Sequence, residues 1–128
     1  MELLAIVTAL ALLEYMVFSL QVGNARGKFG VDAPRTTGDE TFERLYRVHH
    51  NTLEQLIVFL PALWVFGSLW NPALAAGIGC LFVIGRPIYA RAYVADPGSR
   101  TAGFLLGFVA NLVLVVGSLV GGVMRALE

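Results

Sequence analysis

Three polar side chains recur along one stretch of helix-compatible sequence: Arg47, Asn51 and Glu54. They are four and three residues apart, so on an α-helix they share one face. An arginine can hold a carboxylate with two hydrogen bonds, a glutamate can accept from an ammonium group, and an asparagine can donate or accept. Two interpretations stay open. Arg47 and Glu54 form an internal ion pair around Asn51, or the three residues bind a zwitterionic ligand.

A second polar group, Arg86, Tyr89 and Tyr93, lies further along the chain with spacings of three and four residues, which also place it on one helix face. Arginine and tyrosine are common at the headgroup level of membranes, so this group alone would indicate interfacial anchoring. Arg100 follows a strong turn signal, Asp-Pro-Gly at 96–98. Taken by itself, it would be an arginine that extends its charge toward the membrane surface.

The composition of the whole chain indicates the kind of elements that carry these polar residues. Hydrophobic residues make up 57% of the 128 residues and charged residues 14%, with a mean hydropathy of +0.72. A disordered chain is excluded, and a small soluble domain would carry more charge, roughly 25%. A helix that crosses a bilayer needs about 20 mostly apolar residues. We predict an all-α, four-helix transmembrane bundle in a single domain, 1–128, with helices at about 2–24, 41–70, 72–94 and 100–125.

Details of these helices can be predicted from single residues. Thr41 is a suitable N-cap for the second helix. Cys80 lies in an apolar run and is expected to be a small buried side chain. Glu14 interrupts the first apolar run. It either pairs with Asn111 or a residue of the second helix or is protonated, and we expect a structural hydrogen bond inside the bundle. Glycines four residues apart on the fourth helix, at 103 and 107 and at 117 and 121, indicate a close-contact face that could serve a subunit interface.

The positive charges lie near two of the three connections between helices. By the positive-inside rule, we predict that the first and third connections are cytoplasmic and that both termini are outside. The formal net charge is zero, so no nucleic-acid partner is expected. With one cysteine and two adjacent histidines, no metal site is expected. Eight of the nine basic residues lie near these two connections: Arg26, Lys28, Arg35, Arg44, Arg47, Arg86, Arg91 and Arg100.

Together these blocks resemble the MAPEG family, the membrane-associated proteins in eicosanoid and glutathione metabolism. The resemblance extends from the first helix to the start of the fourth. Its two most specific parts are Glu-Arg-x-x-Arg-x-x-x-Asn-x-x-Glu at 43–54 and Arg-x-x-Tyr-x-x-x-Tyr at 86–93. Further stretches that match the family are Phe-Ser-Leu-Gln-Val at 18–22, Ala25-Arg26, Thr-Thr-Gly at 36–38 and Arg100.

The resemblance implies a left-handed four-helix bundle that assembles as a homotrimer and binds glutathione between neighbouring subunits, near the cytoplasmic side. It implies that Arg100 is the catalytic residue, which activates the glutathione thiol. His49 stands where relatives have a polar ligand residue. The glutathione-binding residues that the resemblance implies are Arg26, Arg47, His49, Asn51, Glu54, Arg86, Tyr89 and Tyr93.

Two positions depart from the family pattern. Some relatives have two successive arginines at the end of the first helix, and here the second is Gly27. An aromatic residue often follows the second-helix glutamate, and here it is Gln55. Both departures argue against a specialised eicosanoid enzyme more than against glutathione binding.

These observations predict a membrane-bound glutathione transferase, with glutathione as a substrate and no metal. It would conjugate lipophilic electrophiles or reduce organic hydroperoxides, which enter from the bilayer between helices 1 and 4. A bacterial inner membrane is the predicted location, with membrane lipid around the protein. Two alternatives stay open: a non-catalytic lipid-binding scaffold of the same family, and a small multidrug transporter that uses Glu14.

Overall fold

A computed structural model describes all residues, 1–128, and contains four long helices and no strand. The all-α prediction is confirmed. Each helix is long and apolar enough to cross a membrane, so the chain is an integral membrane protein. The helices are α1 (Glu2–Phe29), α2 (Glu40–Leu69), α3 (Pro72–Ala95) and α4 (Thr101–Ala126), with a single 3-10 turn at Pro97–Ser99.

The two middle helices form the centre of the bundle. α1 packs against α2 and α3 from one side, and α4 packs against the same two helices from the other. The rings of Phe59 and Phe82 stack between α2 and α3, with centroids 4.0 Å apart. Large apolar side chains point outward, as Leu20, Ile57 and Leu119 do, each 67% exposed. An apolar exterior around a packed interior is what a bilayer solvent requires.

Hydrogen bonds fix which helix ends lie together. Arg44, near the start of α2, donates to the carbonyl oxygens of Val94 and Ala95 at the end of α3, at 3.0 and 3.2 Å. At the opposite end, Arg125 donates to the Leu69 carbonyl at 2.7 Å. The first and third connections, which carry most of the basic residues, therefore lie at one end of the bundle.

The predicted boundaries of α1 and α2 need correction. α1 continues to Phe29 rather than ending near residue 24. Its last turns contain Val22 and Ala25, which are buried against Phe42 of α2, and this contact keeps a polar stretch helical. The N-cap of α2 is Asp39, whose Oδ1 accepts from the Phe42 N–H at 2.9 Å, so the assignment of that cap to Thr41 was wrong.

Cys80 is exposed on the outer surface of α3, so the expectation of a buried thiol was wrong. Its neighbours Gly79 and Phe82 occupy the buried face of that helix. One residue corresponds to about 100° of rotation on a helix, so Cys80 turns away from Gly79 and toward the lipid.

The glycines of α4 make their close contacts inside the chain, so a subunit interface is not needed to explain them. A β-carbon at Gly103 would overlap the backbone of Tyr89 in α3, and one at Gly117 would overlap the Phe66 ring in α2. A β-carbon at Gly121 would lie 2.8 Å from the indole nitrogen of Trp70. Small residues here allow α4 to approach α2 and α3 closely.

We expect Gly103→Ala to lower the free energy of unfolding by about 1–3 kcal/mol, because the added methyl group meets backbone atoms that cannot rotate away. Thermal unfolding in detergent measures this loss. Gly122→Ala is the matched control, because nothing lies within 4 Å of a β-carbon there and alanine favours a helix. Equal melting temperatures for the two variants would contradict this packing.

Candidate functional site

A polar pocket of about 240 Å³ opens at the end of the bundle that holds the first and third connections. Helices α2, α3 and α4 each contribute to its wall. Two arginines and no carboxylate face it, so it suits an anionic group. Five of the nine predicted site residues line it, and Phe104 joins them: Arg47, Asn51, Tyr89, Tyr93, Arg100 and Phe104.

Arg47 and Glu54 form the internal ion pair that was one of the two interpretations of this helix face. Arg47 Nη1 lies 3.3 Å from Glu54 Oε1. The side chains remain 51% and 56% exposed, so a ligand can reach both. An exposed pair of this kind contributes little to stability, about 0–1 kcal/mol. The ion pair and a ligand-binding role are therefore compatible.

The two tyrosines of α3 form one wall of the pocket. Their rings stack at a centroid distance of 5.6 Å with an angle of 22° between the planes. Tyr89 is 3% exposed and belongs to a small apolar cluster with Phe18, Val48 and Ala90. Tyr93 packs against the edge of that cluster and is only partly buried, so its phenol is open to a ligand.

Arg100 lies in the short connection immediately before α4. Its Nη1 donates to the Pro97 carbonyl at 2.9 Å, which ties the side chain to its own turn. The turn is stabilised by Asp96, whose Oδ1 accepts from the Gly98 N–H at 3.1 Å. Arg100 remains exposed and keeps other guanidinium N–H groups free to donate into the pocket.

Two predicted ligand residues lie elsewhere. Arg26 donates to the carbonyl oxygens of Val31 and Arg35, at 3.3 and 2.6 Å, and so closes the connection after α1. His49 stacks on Tyr15 of α1 at 4.7 Å. His49 is two residues away from both Arg47 and Asn51, which is about 200° on a helix, so it faces away from the pocket. One chain does not bring all nine residues together.

Arg86 lies behind the pocket wall rather than on it, with 2% of its surface exposed. Its Nη2 donates to Asn51 Oδ1 at 2.9 Å and to Thr52 Oγ1 at 3.0 Å. Its guanidinium carbon lies 4.3 Å from the centroid of the Tyr89 ring, a cation–π contact. The spacing of Arg86 with the tyrosines suggested a shared surface, but the helix turns Arg86 inward.

Glu14 makes no hydrogen bond with Asn111 or with a residue of α2, so the expected structural hydrogen bond was wrong. Asn111 Nδ2 donates instead to Gln55 Oε1 at 3.1 Å, which links α4 to α2. The residue that departs from the family pattern at position 55 thus makes an interhelical contact. Glu14 lines a separate, mainly apolar cavity of about 600 Å³, whose walls come from α1, α2 and α3.

Comparisons with known proteins agree with this architecture. Residues 4–120 match the model of the MAPEG family. An uncharacterized protein of Synechocystis sp. is 48% identical over 115 residues, which cover 90% of this chain and 84% of that protein. Human microsomal glutathione S-transferase 2 is 36% identical over 88% of this chain and 78% of its own length. Bovine leukotriene C4 synthase is 41% identical over 78% of this chain and 67% of its own length. Because the family model matches most of its length, this chain belongs to the MAPEG family.

Proposed function

We propose that the chain is a membrane-bound glutathione transferase. In this proposal the polar pocket holds glutathione and activates its thiol toward a lipophilic electrophile or an organic hydroperoxide. The observation that carries the proposal is the convergence of Arg47, Asn51, Tyr93 and Arg100 on one pocket at the polar end of a membrane bundle. Relatives named as a microsomal glutathione S-transferase support it over most of the chain.

The charges of the site match the groups of glutathione, which carries a carboxylate at each end, an ammonium and a thiol. Arg47 can hold a carboxylate with two hydrogen bonds, and the exposed Glu54 beside it can accept from the ammonium. Asn51 and Tyr93 line the same pocket and can form further hydrogen bonds with the tripeptide. Fixing the tripeptide at several points places its sulfur, which is catalysis by position.

Arg100 is the proposed catalytic residue. A free thiol has a pKa of about 8.5, so little of the reactive thiolate exists at neutral pH. A guanidinium near the sulfur favours the thiolate and lets the thiol proton pass to solvent.

In conjugation, a sulfur–carbon bond forms while the leaving group departs with its electron pair. With a hydroperoxide, a sulfur–oxygen bond forms as the oxygen–oxygen bond breaks. The products are an alcohol and a sulfenic acid, which a second glutathione converts to a disulfide and water.

We further propose that the chain assembles as a homotrimer, because one chain brings only part of the predicted ligand residues together. Arg26 and His49 lie away from the pocket and would complete the pocket of a neighbouring chain. α1 and α4 lie at opposite edges of the bundle, so a lipophilic substrate that enters between them would enter between two chains. The polar end would face the cytoplasm of a bacterium, with the protein in the inner membrane.

The purified protein in detergent should accelerate the reaction of glutathione with 1-chloro-2,4-dinitrobenzene or with cumene hydroperoxide, measured in separate assays. Activity in the first assay alone indicates a conjugating enzyme, and activity in the second indicates a peroxidase. The absence of both activities, together with no binding of glutathione by calorimetry, would contradict the proposal. A lipid-binding scaffold or transport dependent on Glu14 would then be tested.

A further inference from the structure

The most deeply buried charge in the bundle is Arg86, which the proposed mechanism does not use directly. Burying a cation in a membrane helix costs free energy, so the side chains that contact Arg86 are informative. They belong to two different elements. Asn51 and Thr52 on α2 accept from Nη2, and Tyr89 on α3 lies under the guanidinium. Two of these partners, Asn51 and Tyr89, also line the polar pocket.

The hydrogen-bond chemistry of this cluster determines which end of the Asn51 amide faces the pocket. An arginine can only donate, so the oxygen of Asn51 must point at Arg86. Thr52 Oγ1 donates to the Val48 carbonyl at 2.7 Å, so it too can only accept from Arg86. The Asn51 group left for a ligand is therefore the amide nitrogen, a donor suited to carboxylate or carbonyl oxygen.

A candidate for the compensating charge is Glu14 of α1. Its Oε1 is buried and has no hydrogen-bond partner, and the same is true of Arg86 Nε. The two groups are of opposite sign. Glu14 shares its cavity with Pro87, the residue after Arg86, and with Val48, whose carbonyl accepts from Thr52. A buried charge without a countercharge is strongly unfavourable, which gives this carboxylate a function in the fold.

We propose that Arg86 is a positioning residue that presents the Asn51 amide nitrogen and the Tyr89 ring to glutathione, with Glu14 as its countercharge. This inference rests on the proposed function. It replaces a direct ligand role for Arg86 with an indirect one, and it assigns Asn51 as a donor to an oxygen of the ligand. It also explains the presence of Glu14 in the bundle without the multidrug transport considered above.

Asn51→Asp is the most direct test, because the aspartate still pairs with Arg86 and the fold is kept. Its second oxygen replaces the amide nitrogen in the pocket and repels an anionic group. We expect the Kd for reduced glutathione, measured by calorimetry, to rise at least tenfold and to exceed that of Asn51→Ala. Unchanged or tighter binding by Asn51→Asp would overturn the inference, since Asn51 would then present its oxygen to the ligand. No glutathione binding by the wild type would contradict the proposed function instead.

A double-mutant cycle separates positioning from direct contact. If Arg86 acts through Asn51, Arg86→Gln raises the KM for glutathione in the wild type, with a smaller change in kcat. In the Asn51→Ala background the same substitution then adds much less. Equal effects in the two backgrounds would show that Arg86 does not act through Asn51 and would overturn the inference.

Stability tests the countercharge independently of activity. Arg86→Gln leaves Glu14 as an uncompensated buried carboxylate, so its melting temperature should fall by several degrees. Adding Glu14→Gln to that variant should recover part of the loss, whereas the same change in the wild type should be destabilising. A further fall in the double variant would show that Glu14 does not compensate Arg86.

Discussion

Replacing Arg100 by alanine should lower turnover at pH 7 by at least about tenfold at saturating glutathione. In the proposed mechanism this guanidinium favours the thiolate, and one unit of thiol pKa corresponds to about 1.4 kcal/mol, or tenfold in thiolate fraction. Arg100 is exposed and is bonded only to the Pro97 carbonyl of its own turn. Its removal should therefore leave the helices and their stability unchanged.

The pH dependence distinguishes thiol activation from a general loss of binding. Arg100 lowers the pKa of the bound thiol, so its removal moves the midpoint of the rate–pH curve upward, toward about 8.5. The deficit should thus be largest near pH 6.5–7 and should shrink near pH 9, where the thiol ionises without help. Arg91→Ala is the matched control, since this exposed arginine of α3 does not line the polar pocket. A deficit that is constant across this pH range would contradict the assigned role.

The second large effect is expected at Arg47. Arg47→Ala should raise the Kd for glutathione by about 10–100-fold, because a hydrogen bond to a charged group contributes about 1.5–3 kcal/mol. The value of kcat at saturating glutathione should change little, because Arg47 binds the tripeptide rather than the sulfur. Arg47→Lys should recover only part of the affinity, since an ammonium group cannot make two parallel hydrogen bonds to a carboxylate.

The internal ion pair with Glu54 provides the competing explanation for Arg47. If the pair served only stability, Arg47→Ala and Glu54→Ala would lower the melting temperature equally and leave glutathione binding unchanged. Both side chains are about half exposed, so we expect only a small change in stability from either substitution. Calorimetric titration of glutathione into both variants, with thermal unfolding alongside, decides between these explanations.

The fold was predictable from the sequence because long apolar runs have few alternatives in a membrane. The sequence alone could not predict where a helix ends within a polar stretch. The residues at 24–29 resemble a loop by composition. They remain helical because Val22 and Ala25 pack on Phe42, a contact made only in the folded chain. Gly30, with φ of 69°, then ends the helix in the left-handed region.

The candidate site was partly predictable for a similar reason. Helical spacing brings Arg47 and Asn51 onto one face whatever surrounds the helix, and the structure places both on the pocket wall. Spacing does not indicate which neighbour a face meets, so the burial of Arg86 behind that wall was not predicted. Its acceptor Thr52 lies one residue beyond the polar face and gave no signal. Phe104 was also missed, because an apolar residue in a membrane helix resembles its neighbours.

Activation of glutathione by the protein can be measured directly as the ultraviolet difference absorbance of thiolate when glutathione is added to the purified wild-type protein at pH 7. Because the bound thiol should ionise well below its pKa in solution, we predict a thiolate signal that saturates with glutathione and is lost in Arg100→Ala. Saturable binding of glutathione without a thiolate signal would contradict an enzyme that activates glutathione, and would instead support a MAPEG protein that keeps the pocket without the chemistry.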